Sequence, residues 1–299
     1  MKKIIALLAM LLATVLWGIA FTAQSKGMEH VGAMLFVMLR SIVGAAALAV
    51  VIIVFNLCKY RKLAFSVTGE SPQAKRDLLL GGLFCGLIIA AASTFQQLGL
   101  LKVSAGKTGF LTALYIIMVP LLGIFFKRKT PLGLYLAVLL ALTGAYLLCG
   151  GIASIGIGEI CVIVCAFLFA IHILVIDHYV ERCDCVKLSC VQFTVAAVAS
   201  AAASLIFCEP WLWQKIIAAM PFWIFCGIGS SAIAFTLQMF AQKYLHPVTA
   251  ALIMSLESVF ALLGGWWFLR EVLTVKELAG CATILFSVIL TQLPQRQKK

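Results

Sequence analysis

Apolar residues run along this chain in long unbroken blocks, with the polar and charged positions gathered between them. The blocks fall at about 4–24, 32–57, 78–99, 105–126, 132–149, 157–177, 188–208, 221–241, 246–268 and 275–293. An α-helix rises ~1.5 Å per residue, so ~20 residues cross a ~30 Å hydrocarbon core. The pattern therefore predicts an all-α polytopic membrane protein with about ten transmembrane helices. It lacks the period-two alternation of an outer-membrane barrel. Connections such as "SKGMEH", "KRKTP" and "EPWLWQK" are short, so successive helices should run antiparallel. The longest, "CKYRKLAFSVTGESPQAKRD", is basic and polar, and its Ser71-Pro72 suits the cap and first position of the next helix. The opening block has the charged start and small-residue exit of a secretory signal. Its apolar body exceeds the usual signal core, and it is expected to remain as a membrane helix.

The chain also matches itself. Shifted by 141, "GLIIAAASTFQQLGLLKVSAGKTGFL" falls on "GIGSSAIAFTLQMFAQKYLHPVTAAL", setting Gln97 on Gln238, Thr108 on Thr249 and Leu111 on Leu252. Nearer the start the offset is about 152, which sets Trp17 on Phe169 and Arg40 on Gln192. Residues 1–150 and 151–299 would then each hold five helices. Five is odd, so the second copy enters the bilayer upside down. Inverted repeats of this kind build alternating-access transporters, with substrate held near the midplane between the halves.

Composition agrees with the pattern. Of 299 residues, 64% are hydrophobic and 11% charged, with mean hydropathy +1.12; a soluble domain would have about 25% charged. The net charge of +12 is not laid out as a basic stripe interleaved with stacking aromatics, so nucleic acid is not the expected partner. The charges instead mark sidedness. One set of connections and ends carries Lys2, Lys3, Lys59, Arg61, Lys62, Lys75, Arg76, Lys127, Arg128, Lys129, Arg182, Lys187, Lys243, Arg296, Lys298 and Lys299. The other carries Lys26, Lys102, Lys215, Arg270 and Lys276. That bias predicts both termini in the cytoplasm. Most of the eleven cysteines lie inside apolar blocks as small hydrophobes. "HYVERCDC" gathers His178, Cys183, Asp184 and Cys185, but a lone C-x-C lacks the paired spacing of structural zinc sites, and no metal or cofactor is expected.

Against this background a few polar residues stand out. Glu257 sits near the middle of its block, where an ionisable group costs a few kcal/mol. It is either a cavity carboxyl that takes up and releases a proton during transport, or a structural carboxyl bonded to a neighbouring helix. Arg40 lies about two turns inside the second block and keeps its charge, so it must pair, snorkel or bind an anionic substrate group. Lys107 opens the fourth block, where snorkelling and substrate contact are both open. "SAGKTG" around it lacks the strand and glycine spacing of a phosphate-binding loop. Gln96, Gln97, Gln192 and Gln238 are neutral hydrogen-bonders, with the pair Gln97 and Gln238 the better cavity candidates. His172 is either a proton relay or a packing residue. Trp17, Phe21 and Tyr115 would form apolar walls. Trp211, Trp213, Trp223, Trp266 and Trp267 lie near block ends, as interface anchors do. Gly82-x-x-x-Gly86 allows close helix approach.

Several of these segments resemble the EamA group of the drug/metabolite transporter superfamily. "LWGIAF" (16–21) is similar to its opening Trp-Gly segment, and "MLRSIVGAAAL" (38–48) to its Arg-bearing second helix. "LKVSAGKTGFLTALYIIMVPLLG" resembles its fourth helix, and "SLESVFALLGGWWFLREVLT" its ninth, with Ser258 where the family usually has Pro. The resemblance implies ten helices, a central cavity lined by the first four of each half, and export of small metabolites. The expected function is thus a secondary transporter of the inner or plasma membrane, in contact with lipid. It would carry an amino-acid-like or other small polar or amphipathic compound. A membrane enzyme acting on lipid-linked substrates and a passive channel are the rivals. The enzyme would be expected to group acidic metal ligands or a Ser/His/Asp set at one interface, and the acids here are scattered singly. The sequence leaves a homo-oligomer open.

Overall fold

The computed structural model of the chain describes residues 2–61, 71–125, 132–148, 156–269 and 274–292, and every regular element among them is helical. Lys62, Lys127, Arg128, Lys129, Arg270, Arg296, Lys298 and Lys299, on which part of the sidedness expectation rests, lie outside the described residues. The helices of the first half are α1 (Lys2–Gly27), α2 (Ala33–Tyr60), α3 (Pro72–Leu100), α4 (Ala105–Thr112), α5 (Tyr115–Phe125) and α6 (Leu132–Leu148). Those of the second are α7 (Ile157–Tyr179), α8 (Cys185–Ile206), α9 (Trp213–Ala218), α10 (Met220–Phe225), a π-helix (Cys226–Ala234), α11 (Phe235–Gln242), α12 (Pro247–Met254), α13 (Leu256–Leu269) and α14 (Val275–Gln292). Eight helical segments among the described residues are long and apolar enough to cross a membrane, with α4–α5, α10–α11 and α12–α13 each counting as one. Two shorter apolar stretches, Tyr135–Gly144 in α6 and Leu278–Ser287 in α14, stand where the sequence predicts the other two spans.

Local chemistry sets the helix starts. Ser71 Oγ accepts from Ala74 N–H at 3.1 Å, ahead of Pro72 at the first helical position. Asp184 caps α8 by accepting from the N–H groups of Val186 and Lys187, both at 3.0 Å. This is the structural use of one polar residue in "HYVERCDC". Ser104 caps α4 and His246 caps α12 through side-chain acceptors.

These caps pin the repeat. From the turn after α1 to the start of α8 the two halves correspond with an offset of 152, placing Gly32 with Asp184 and Arg40 with Gln192, as the sequence suggests. From the end of α3 onward the offset is 142 rather than 141. The turn bonds from Lys102 and Val103 to Gly99 recur from Tyr244 and Leu245 to Ala241, and cap Ser104 recurs as His246. The expected pairing of Gln97 with Gln238 is therefore corrected to Gln96 with Gln238, and Tyr115 becomes the counterpart of Glu257.

The helices approach closely where glycine permits. A Cβ on Gly86 would lie 2.5 Å from Val195 Cβ and 2.6 Å from Gln192 O, so α3 and α8 touch along the expected Gly82–Gly86 face. Helix α2 packs on α8, and α6 on α14, so these helices each meet their own repeat counterpart. Many large apolar side chains are exposed, among them Val198, Phe207, Trp213 and Trp267, and they form a surface suited to lipid rather than water.

Candidate substrate cavity

Two interrupted helices place the central polar groups. Helix α4 ends at Thr112 and α5 restarts at Tyr115; α12 ends at Met254 and α13 restarts at Leu256. In the first, Pro120 has no N–H to give the carbonyl of Ile116 one turn back. In the second, no proline is present where the family resemblance leads one to expect it. The break instead lies at Ser255, whose Oγ donates to Leu252 O, while Ser258 Oγ donates to Ser255 O, both at 2.7 Å. Serine hydroxyls thus back-bond to carbonyls one turn earlier on either side of the break, and Ser255 O accepts from the Ser258 N–H as well, at 3.1 Å. Tyr115 and Glu257 occupy the first turn after each break, and Tyr115 Oη donates to Glu257 Oε1 at 3.0 Å. Repeat counterparts that touch one another lie beside the axis relating the halves.

Tyr115 and Glu257 open on a cavity of about 30 Å³, room for about two water molecules. Trp17, Phe21, Phe169, Phe235 and Met254 form its apolar wall; Gln24, Arg40, Gln96 and Ser230 supply the other polar groups. The two halves both contribute. Trp17 and Phe235 meet edge to face, with ring centroids 4.9 Å apart. Ser230 comes from the π-helix, which packs tightly on α2: a Cβ on Gly227 would meet Arg40 O at 2.8 Å. Wide helical turns of this kind frequently occur at functional sites.

Arg40 is 2% exposed, and its Nη1 donates to Gln24 Oε1 at 2.7 Å. Gln24 Oε1 also accepts from Gln97 Nε2, so α1, α2 and α3 meet in one polar knot. Arg40 Nε is buried without a partner, and no carboxylate among the described residues forms an ion pair with Arg40.

Six of the residues singled out in the sequence therefore line the cavity: Trp17, Phe21, Arg40, Gln96, Tyr115 and Glu257. The others lie elsewhere. Gln97 is one step back, holding Gln24. His172 Nε2 and Gln192 Oε1 are 3.0 Å apart, and the His172 ring packs against the wall residues Phe169 and Phe235 without lining the cavity itself. Gln238 donates to Gln242 Oε1, and Gln242 in turn donates to Ile173 O, tying α11 to α7. Lys107 Nζ is held by Glu159 Oε1 at 2.7 Å, outside the cavity. This ion pair joins α4 to α7 and so bridges the two halves. Glu209 makes a second bridge, accepting from the N–H groups of Met34 at 3.1 Å and Leu35 at 2.7 Å at the start of α2. The sequence reading missed Gln24, Phe169, Ser230, Phe235 and Met254 as cavity residues, although it set Phe169 on Trp17 through the repeat. Of the others, Gln24 alone carries a signal, as an amide inside the last turns of an apolar helix.

The fold and this cavity define a multi-pass helical membrane protein built as a repeated unit around a small, partly polar chamber. The chain belongs to the EamA-like transporter family, whose sequence profile matches residues 4–150 and again 156–293. It is similar to an "Uncharacterized transporter" of Archaeoglobus fulgidus, 29% identical over 71% of this chain and 68% of that protein. It is also similar to the "Uncharacterized transporter YoaV" of Bacillus subtilis, 21% identical over 98% of each. A solved structure titled only "Crystal structure of protein" shares the fold, with TM-score 0.76, 18% identity and 97% of each chain covered. The family and these relatives make the chain a membrane transporter and point away from an enzyme.

Proposed function

We propose that this transporter moves a small polar or amphipathic metabolite, amino-acid-like compounds among the candidates, outward across the cell membrane by alternating access. The observation that carries the reading is the buried chamber between the repeats, where Arg40 and Glu257 face a largely aromatic wall. Buried polar groups converging on one apolar pocket are the expected form of a small-molecule site. In this reading the second repeat is inverted relative to the first, both termini are cytoplasmic, and the chamber opens to one side at a time.

The roles follow from position. Trp17 and Tyr115 shape the apolar body of the site, and Arg40 anchors the substrate's polar end. Gln97 steadies Arg40 through Gln24. Glu257, in the first turn after the break in its span, exchanges a proton during the cycle. His172, Gln192 and Gln238 support the wall from behind. Lys107 acts with Glu159 as a tie between the halves that has to loosen on one face.

The test is exchange by purified chain in proteoliposomes loaded with a uniformly 13C-labelled cell extract and diluted into the unlabelled extract. Mass spectrometry should find one class of small metabolites exchanging only when protein is present, with a rate that saturates. Exchange rising linearly with concentration would favour a channel, and chemical conversion of a metabolite an enzyme.

A further inference from the structure

Resting on that reading of the chamber, we propose that its substrate is an amphipathic monocarboxylate, with the Arg40 guanidinium as the group that binds the carboxylate. A guanidinium carries five N–H donors and remains charged at any pH a cell meets. Arg40 is 2% exposed, yet one neutral amide, Gln24, is its hydrogen-bond partner among the described residues. A buried charge without an opposite charge is strongly unfavourable. The partly buried cation Lys107, by contrast, has Glu159 beside it. Arg40 has no such neighbour among the described residues, and it lines the chamber.

The unmet donor capacity of Arg40 narrows the ligand further. Gln24 occupies Nη1, and Nε is buried and unpartnered. A guanidinium offers pairs of parallel N–H donors that match the two oxygens of a carboxylate, and the single bond to Gln24 leaves Arg40 with donors to satisfy. Glu257 does not fill this role, because its Oε1 accepts from Tyr115 and it forms no ion pair with Arg40. Among the described residues Arg40 is also the single cationic side chain in the lining, which suits a monoanion better than a phosphate dianion. The rest of the wall, with Trp17, Phe21, Phe169, Phe235 and Met254, calls for an aromatic or branched apolar body on the same molecule.

Two series of compounds that vary charge on a constant body test this in purified chain held in lipid nanodiscs. One is 3-phenylpropanoate, phenylalanine, 2-phenylethylamine and 3-phenylpropanamide. The other is 4-methylpentanoate, leucine, 3-methylbutylamine and 4-methylpentanamide. Calorimetric titration of wild type should rank the carboxylate tightest in at least one series, by about tenfold over its amine, amide and amino acid. Arg40→Gln should remove that preference while leaving amide binding within about threefold, and Arg40→Lys should retain part of it. An amine or amino acid binding tightest in both series, or no saturable binding by either carboxylate, would overturn the proposal. So would unchanged selectivity in Arg40→Gln. The wild-type ranking decides the matter alone if that variant does not fold. Counterflow of the same compounds in proteoliposomes separates this proposal from the one beneath it. Tight carboxylate binding without exchange defeats transport at this site and leaves the ligand class standing. Exchange of amines or amino acids without carboxylate selectivity does the reverse.

Discussion

Gly18 lies where α1 crosses α13, between Trp17 and Phe21 of the chamber wall, and meets α13 at Phe260, about one turn after Glu257. A Cβ added at Gly18 would sit 2.2 Å from Phe260 Cβ, 2.7 Å from Phe260 C and 2.9 Å from Ala261 N. Non-bonded carbons settle at about 3.5–4.0 Å, so Gly18→Ala forces the two helices apart by about 1 Å or more. Two of the three opposing atoms are backbone and cannot rotate away. Overpacking of this degree typically costs about 1–3 kcal/mol, and the better helix propensity of alanine returns about 1 kcal/mol. A net loss of up to about 2 kcal/mol follows, together with displacement of Trp17 from Phe235. Gly229 provides the contrast: a Cβ there would meet nothing nearer than Phe225 Cε2 at 3.7 Å. Gly229→Ala should be neutral or stabilise by up to about 1 kcal/mol. Thermal unfolding of both variants in one detergent, with exchange measured in proteoliposomes, checks the pair. Gly18→Ala melting with wild type while Gly229→Ala melts lower would refute the packing argument.

Other expectations are smaller or more local. Glu209→Ala removes both acceptors at the start of α2 and should cost about 1–2 kcal/mol in thermal unfolding; Ser204→Ala removes the hydroxyl that donates to Glu209 Oε2 and accepts from Trp211 Nε1, and should cost less because the α2 N–H groups keep their acceptors. Equal effects of the two changes would count against the capping role. Lys107 and Glu159 are partly exposed, so a double-mutant cycle of Lys107→Ala and Glu159→Ala in thermal unfolding should give a coupling of only about 0.2–1 kcal/mol. A much larger coupling would mean that the bridge between the halves carries more than a surface pair does. Glu257→Gln should abolish dependence of exchange on a pH gradient, and Tyr115→Phe should shift that dependence without removing it. Undiminished gradient dependence in Glu257→Gln would take proton exchange away from this carboxyl.

Most of the architecture is legible in the sequence, because spans in lipid must be long and apolar and their connections polar. The offset of 152 is equally legible, since Trp17 and Arg40 sit in distinctive surroundings. The one-residue error in the second offset has a physical source. Spans rich in Leu, Ala and Gly barely distinguish one register from the next, and it is the caps at Ser104 and His246 that fix it. That error hides the pairing of Tyr115 with Glu257. Gln24 escapes notice because it precedes Lys26 and Glu29 and looks interfacial, although it is buried against Arg40. Ser230, Phe235 and Met254 look like any other small or apolar residue in a span, and only packing of the bundle turns them to the chamber. The partners Glu159 for Lys107 and Glu209 for α2 lie 52 and 174–175 residues away in sequence, beyond what local pattern reaches.

Access to the chamber from both faces is the most direct test of the account. Ser230→Cys, introduced into a cysteine-free background, would place a thiol on the chamber lining with little change in volume. Its reaction with a membrane-impermeant methanethiosulfonate should be measured separately from each side of oriented vesicles. The account predicts modification from either side, slowed from both when a transported metabolite saturates the site. Modification from one side alone, whichever way the vesicles are oriented and whatever metabolite is present, would contradict it.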